Sequence, residues 1–77
     1  MEQKLKTVMA DVFEISSDKI DGSTTMDSIE KWDSLRHIEL LTILEKKFGI
    51  ALEMEEMIEM TTFEDITRIL STKGIKF

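Results

Sequence analysis

The stretch Trp32-Asp33-Ser34-Leu35-Arg36-His37-Ile38-Glu39-Leu40-Leu41 decides how the rest of the chain is read. It opens the best helical pattern in the sequence, expected from Ser34 to about Phe48. Asp33 suits the N-cap, because its carboxylate can accept an orphan backbone N–H and sits well at the positive helix end. Ser34 then falls at the first helical position, beside N–H groups that have no intrahelical partner. A phosphate attached there meets the same positive end, the arrangement that makes helix N-termini anion sites. A plainer role stays open, in which Ser34 only helps Asp33 close the helix, since Ser, Thr and Asp are common at helix starts. Gly49 stops the pattern, with Lys46 and Lys47 suited to the negative end. At about 100° per residue, Leu40, Leu41, Leu44 and Phe48 fall together on the core side. Glu39, Thr42, Glu45 and Lys46 gather opposite, and Leu35 projects among them as a docking point for a partner.

Towards the N-terminus, residues 16–32 hold Ser, Thr, Asp and the first glycine, a loop long enough to be functional or tied down. Ile20, Met26, Ile29 and Trp32 are the apolar residues able to pin it. With Gly22 at the sixth position of a calcium loop, positions one, three, five and twelve become Ser17, Lys19, Asp21 and Ser28. A lysine and the lack of a terminal glutamate rule calcium out. Before the loop, residues from about 2 to 14 place Leu5, Val8, Met9 and Val12 on one stripe of a helix.

Towards the C-terminus, Met54, Met57, Ile58 and Met60 mark a segment too short for more than about two helical turns. Methionine packs cores, and it also lines surfaces that accommodate variable apolar guests. Thr61-Thr62-Phe63-Glu64 contains a T-x-x-E capping box and opens a last helix with Phe63, Ile66, Ile69 and Leu70 on one face. That helix is expected to stop near Gly74 and leave a frayed tail. His37, three residues after Ser34, invites a Ser–His nucleophile pair. No separate orienting carboxylate, oxyanion hole or Gly-x-Ser-x-Gly elbow accompanies it. Packing near Trp32 or the first helix is the favoured role, and an autonomous hydrolase is not.

Asp33-Ser34-Leu35 at the head of a leucine-rich helix resembles the phosphopantetheine attachment site of acyl and peptidyl carrier proteins. The likeness runs on through Ile38-Glu39-Leu40, Leu44-Glu45, Phe48-Gly49-Ile50 and Thr61-Thr62-Phe63. It implies that a phosphopantetheinyl transferase moves 4′-phosphopantetheine from coenzyme A onto Ser34, with Asp33 assisting recognition. It further implies a non-catalytic carrier that holds acyl or aminoacyl intermediates as thioesters. Partners would be an acyl- or aminoacyl-loading ligase and downstream synthases or transferases. Leu35, Arg36, Ile38 and Glu39 would form the docking edge, with Glu45 and the acidic third helix as outer contacts. Leu41 and Leu44 facing Met54, Met57, Ile58 and Met60 would line a groove for an acyl chain. Lys31-Trp32 before the triplet, Arg36 after it, and Lys46-Lys47 depart from the common fatty-acid type. Trp32 before the triplet and His37 three residues after the serine look more like specialised carriers paired with dedicated ligases.

The expected fold over residues 1–77 is a single all-α domain, a small four-helix bundle of three main helices plus one short one, with a long first loop. Without cysteine, neither disulfides nor thiolate metal sites can form. Sixteen acids against ten bases give a net charge of −6, and Glu53, Glu55, Glu56, Glu59, Glu64 and Asp65 stand in one segment without a base. Such a surface disfavours nucleic acid and can attract basic patches on partner proteins, or simply aid solubility. No apolar run approaches the roughly 18 residues of a membrane span. A soluble, cytoplasmic monomer is the expectation. The competing class is a small acidic helical interaction module that is never modified.

Overall fold

The computed structural model describes residues 2–77. Four helices follow in order: α1 (Glu2–Phe13), α2 (Ser34–Phe48), α3 (Met54–Glu59) and α4 (Phe63–Thr72). The described residues contain no β-strand. No helix among them is long and apolar enough to cross a membrane. The α1 stripe is buried at Leu5, Val8, Met9 and Val12, and joins Leu40, Leu41 and Leu44 of α2 with Phe63, Ile66, Ile69 and Leu70 of α4 in one core.

The first loop is tied down rather than irregular. It contains two short 3-10 turns, Ser17–Lys19 and Met26–Ser28, the first capped by Ser16 and the second by Thr25. Ile20, Ile29 and Trp32 are buried and Met26 packs partly against the core. A backbone seam locks the loop to the start of α4. Met26 N–H donates to the Thr61 carbonyl (2.7 Å) and Phe63 N–H to the Thr24 carbonyl (2.9 Å), flanking an antiparallel bridge between Thr25 and Thr62. That seam corrects the expected capping box. It draws Thr61 into extended pairing with the loop, so Thr62 becomes the N-cap and accepts the Asp65 N–H at 2.9 Å.

Three helices end by one device. The chain turns left-handed at Glu14 (φ 57°), Gly49 (φ 65°) and Gly74 (φ 95°). The next amide, of Ile15, Ile50 and Ile75, then reaches back five residues to the carbonyls of Ala10, Glu45 and Leu70, each at 3.1 Å. This is the Schellman pattern, and the three isoleucines supply its customary apolar contact by packing on the core. The tail is therefore held through Ile75, where fraying from Lys73 onward was expected.

Candidate functional site

Asp33 is extended (φ −102°, ψ −177°) and its Oδ1 accepts the Arg36 N–H at 2.9 Å, so it caps α2. Its carbonyl accepts the His37 N–H at 2.8 Å, the first bond of the helix ladder. Ser34 follows at the first helical position and is exposed. Its hydroxyl takes no part in any hydrogen bond among the described residues, leaving Oγ available beside the positive helix end. Among those residues no three His, Asp or Glu are grouped to hold a metal.

Ser34 stands on the rim of an apolar groove of about 350 Å³, lined by Met26, Ser34, His37, Ile38, Met54, Met57 and Ile58. Four large apolar residues around it face solvent: Leu35 (74 % exposed), Ile38 (63 %), Met54 (75 %) and Ile58 (68 %). Isolated exposed apolar residues mean little, but four gathered about one hydroxyl form a patch of the kind that marks binding surfaces. A larger cleft, about 400 Å³, lies in the first loop against Asp21, Ser23 and Glu30, and Ser34 is not among its lining residues.

The groove differs in composition from the one expected. Leu41, Leu44 and Met60 are fully buried in the core and do not reach it, because α2 turns that leucine face onto α1 and α4. Met54, Met57 and Ile58 do line it, and Met26 and Ile38 join them. Met26 was legible only as a loop pin, and the seam to Thr61 is what carries it here. Ile38, expected on the docking edge, is at once exposed and part of the groove wall.

Two residues expected on the docking edge have inward duties. The Arg36 guanidinium donates to the Val12 carbonyl at 2.5 Å, closing the carbonyl end of α1 where a cation is favoured. Glu45 Oε2 accepts the Leu52 N–H at 3.0 Å and pins the turn between α2 and α3. Glu39 remains outward and exposed. The acidic segment is partly paired: Lys73 bonds Glu56 at 2.8 Å, and Arg68 lies 3.3 Å from Asp65 and 4.0 Å from Glu59. The Lys73 ammonium, and then the Glu53 amide, hold the Glu56 carboxyl below its ordinary range.

His37 packs where the sequence placed it, beside Trp32. The Trp32 indole Nε1–H donates to His37 Nδ1 at 2.9 Å, and His37 Nε2 lies 2.8 Å from the Met57 carbonyl oxygen. Both ring nitrogens are thus engaged, which leaves neither to act as a base on Ser34.

A family model described as "Phosphopantetheine attachment site" matches residues 3–70. Among curated relatives, an "Acyl carrier protein" of Petrotoga mobilis is 32% identical over 73 residues, covering 92% of this chain and 84% of the relative. An "Acyl carrier protein" of Thermosynechococcus vestitus is 27% identical over 71 residues, covering 92% and 88%. "Polyketide-8 synthase acyl carrier protein 1" of Streptomyces avermitilis is 27% identical over 70 residues, covering 91% and 83%.

Proposed function

The chain belongs to the phosphopantetheine-carrying acyl carrier protein family, and on that premise we propose that Ser34 bears the prosthetic arm. The family is non-catalytic and carries covalently attached 4′-phosphopantetheine, whose terminal thiol supplies the thioester chemistry that a cysteine-free chain lacks. The observation that carries the proposal is the unbonded Ser34 hydroxyl at the first position of α2, on the rim of the apolar groove. Asp33 holds the helix end open for it, and the unpaired N–H groups of the first turn favour a phosphodiester there.

The cargo we propose is an acyl chain, sheltered along Ile38, Met54, Met57 and Ile58. Each methylene withdrawn from water contributes about 0.8 kcal/mol, so even partial shelter is worth several-fold in an equilibrium. Methionines that can repack suit chains of differing length. Leu35, Ile38 and Glu39 serve as the docking edge for a phosphopantetheinyl transferase, a loading ligase and the synthases or transferases that follow. The carrier domain acts as a monomer in the cytoplasm.

Melting temperatures of the phosphopantetheine form bare, carrying a medium-length acyl chain, and carrying an amino acid test the reading. A ligand that prefers the native state raises apparent stability. The acyl form should melt highest and the aminoacyl form with the bare one. An acyl form that melts with the bare form removes the sheltered chain and puts aminoacyl cargo ahead. Failure of the chain to accept any arm returns it to an unmodified interaction module.

A further inference from the structure

We infer that His37 is a latch: through its bond to the Met57 carbonyl it fixes α3 against α2 and sets how deep a chain can enter the groove. It is a positioning residue, and the inference rests on the cargo reading above. Trp32 Nε1–H can only donate, so His37 Nδ1 must accept and carries no hydrogen. The ring proton therefore sits on Nε2 and is donated to the Met57 carbonyl. Among the described residues this is the only hydrogen bond joining α2 directly to α3.

The anchor behind it is rigid. Trp32 is buried and stacks on Phe13 with ring centroids 4.9 Å apart, so the imidazole is held from the α1 side. The element in front of it is not self-sufficient. At six residues, α3 is far too short to persist alone. It is moored to the C-cap of α4 by the Glu56–Lys73 ion pair, to α4 itself by Arg68 at 4.0 Å from Glu59, and to α2 by His37. Leu41 lies one turn beyond His37 on the same face of α2, with Leu44 further on. While the latch holds, His37 and Met57 belong to the groove lining, and Leu41, Leu44 and Met60 stay fully buried and outside that lining. Once it opens, α3 can swing on its α4 mooring and admit a chain to those buried residues.

Two substitutions separate the halves of the latch. His37→Gln keeps a donor near the position of Nε2, and His37→Asn keeps an acceptor near that of Nδ1. In the unmodified protein, backbone amide exchange at Met57 and Met60 should quicken about tenfold in His37→Asn, the factor one net hydrogen bond is worth. His37→Gln should leave it near wild type, and core amides of α1 and α4 should not move in either. The Trp32 indole N–H resonance should respond the opposite way, shifting in His37→Gln and staying in His37→Asn. On the acyl-loaded forms, chain-to-methyl nuclear Overhauser contacts should stop at Met54, Met57 and Ile58 in wild type and His37→Gln. In His37→Asn they should extend to Leu41, Leu44 and Met60. Wild-type exchange in His37→Asn, equal acceleration in both variants, or wild-type chain contacts already reaching Leu41 would each overturn the latch. The first arm needs no modification, so a Ser34 that takes no arm defeats the carrier reading alone.

Discussion

Asp33 and Ser34 are adjacent yet do separate work. The cap is made by the Asp33 carboxylate, while the Ser34 hydroxyl is bonded to nothing among the described residues. Asp33→Ala should therefore cost about 1 kcal/mol in denaturant unfolding, the usual price of a lost N-cap. Ser34→Ala should stay within about 0.5 kcal/mol of wild type, as surface substitutions do. Equal losses from both would mean that the serine shares the cap. The Asp33 cap was legible in the residues, because cap chemistry is local, whereas the residues left open whether Ser34 shares it. The duties of Arg36 and Glu45 were not legible. Each is met by a partner remote in sequence, Val12 and Leu52, and a helical wheel reports only which side of α2 a residue faces. The same limit placed Leu41 and Leu44 in the groove. A leucine stripe says that a face is apolar, and only the packing of α1 and α4 says which neighbours cover it.

At the scale of elements, the helix ends divide into those written in glycine and one that is not. Gly49-Ile50 and Gly74-Ile75 signal a left-handed stop followed by an apolar clasp. Glu14-Ile15 makes the same turn with a side chain present, at a cost of roughly 1–2 kcal/mol for a left-handed L-residue. Lys31 offsets part of it with an exposed ion pair at 2.7 Å, which is worth little. Glu14→Gly should thus match or exceed wild-type stability, by up to about 1 kcal/mol. A loss beyond about 0.5 kcal/mol in urea unfolding would show the ion pair outweighing the strain. The mooring of α3 to α4 carries its own pH signature. Glu56 is held below its ordinary pKa first by Lys73 and then by the Glu53 amide, so the unfolded chain binds the proton more readily. Its contribution is present at neutral pH and is lost as pH falls through the folded-state value, below the ordinary glutamate value of about 4.3. The melting-temperature gap between wild type and Glu56→Gln should be widest near neutral pH and narrow as pH falls below the ordinary glutamate range. A gap that stays constant over that range would place the effect in packing rather than charge.

For the whole molecule, the four-helix order and the all-α class followed from hydrophobic period and capping alone, since in a chain this short most contacts lie along one stripe per helix. The groove did not, because it is assembled from three places: Met26 in the loop, His37 and Ile38 on α2, and Met54, Met57 and Ile58 on α3. The seam at Thr25 and Thr62 and the latch at His37 bring them together, and neither is visible to periodicity. What results is a scaffold that keeps one serine exposed at a positive helix end and sets an apolar recess beside it. The most direct test of that account is the intact mass of the wild-type chain after incubation with coenzyme A and a phosphopantetheinyl transferase, followed by fragmentation. The account predicts a single phosphopantetheine increment, borne by the fragment that contains Ser34 and absent from Ser34→Ala. No increment, or one borne by Ser16, Ser17, Ser23, Ser28 or Ser71, would contradict it.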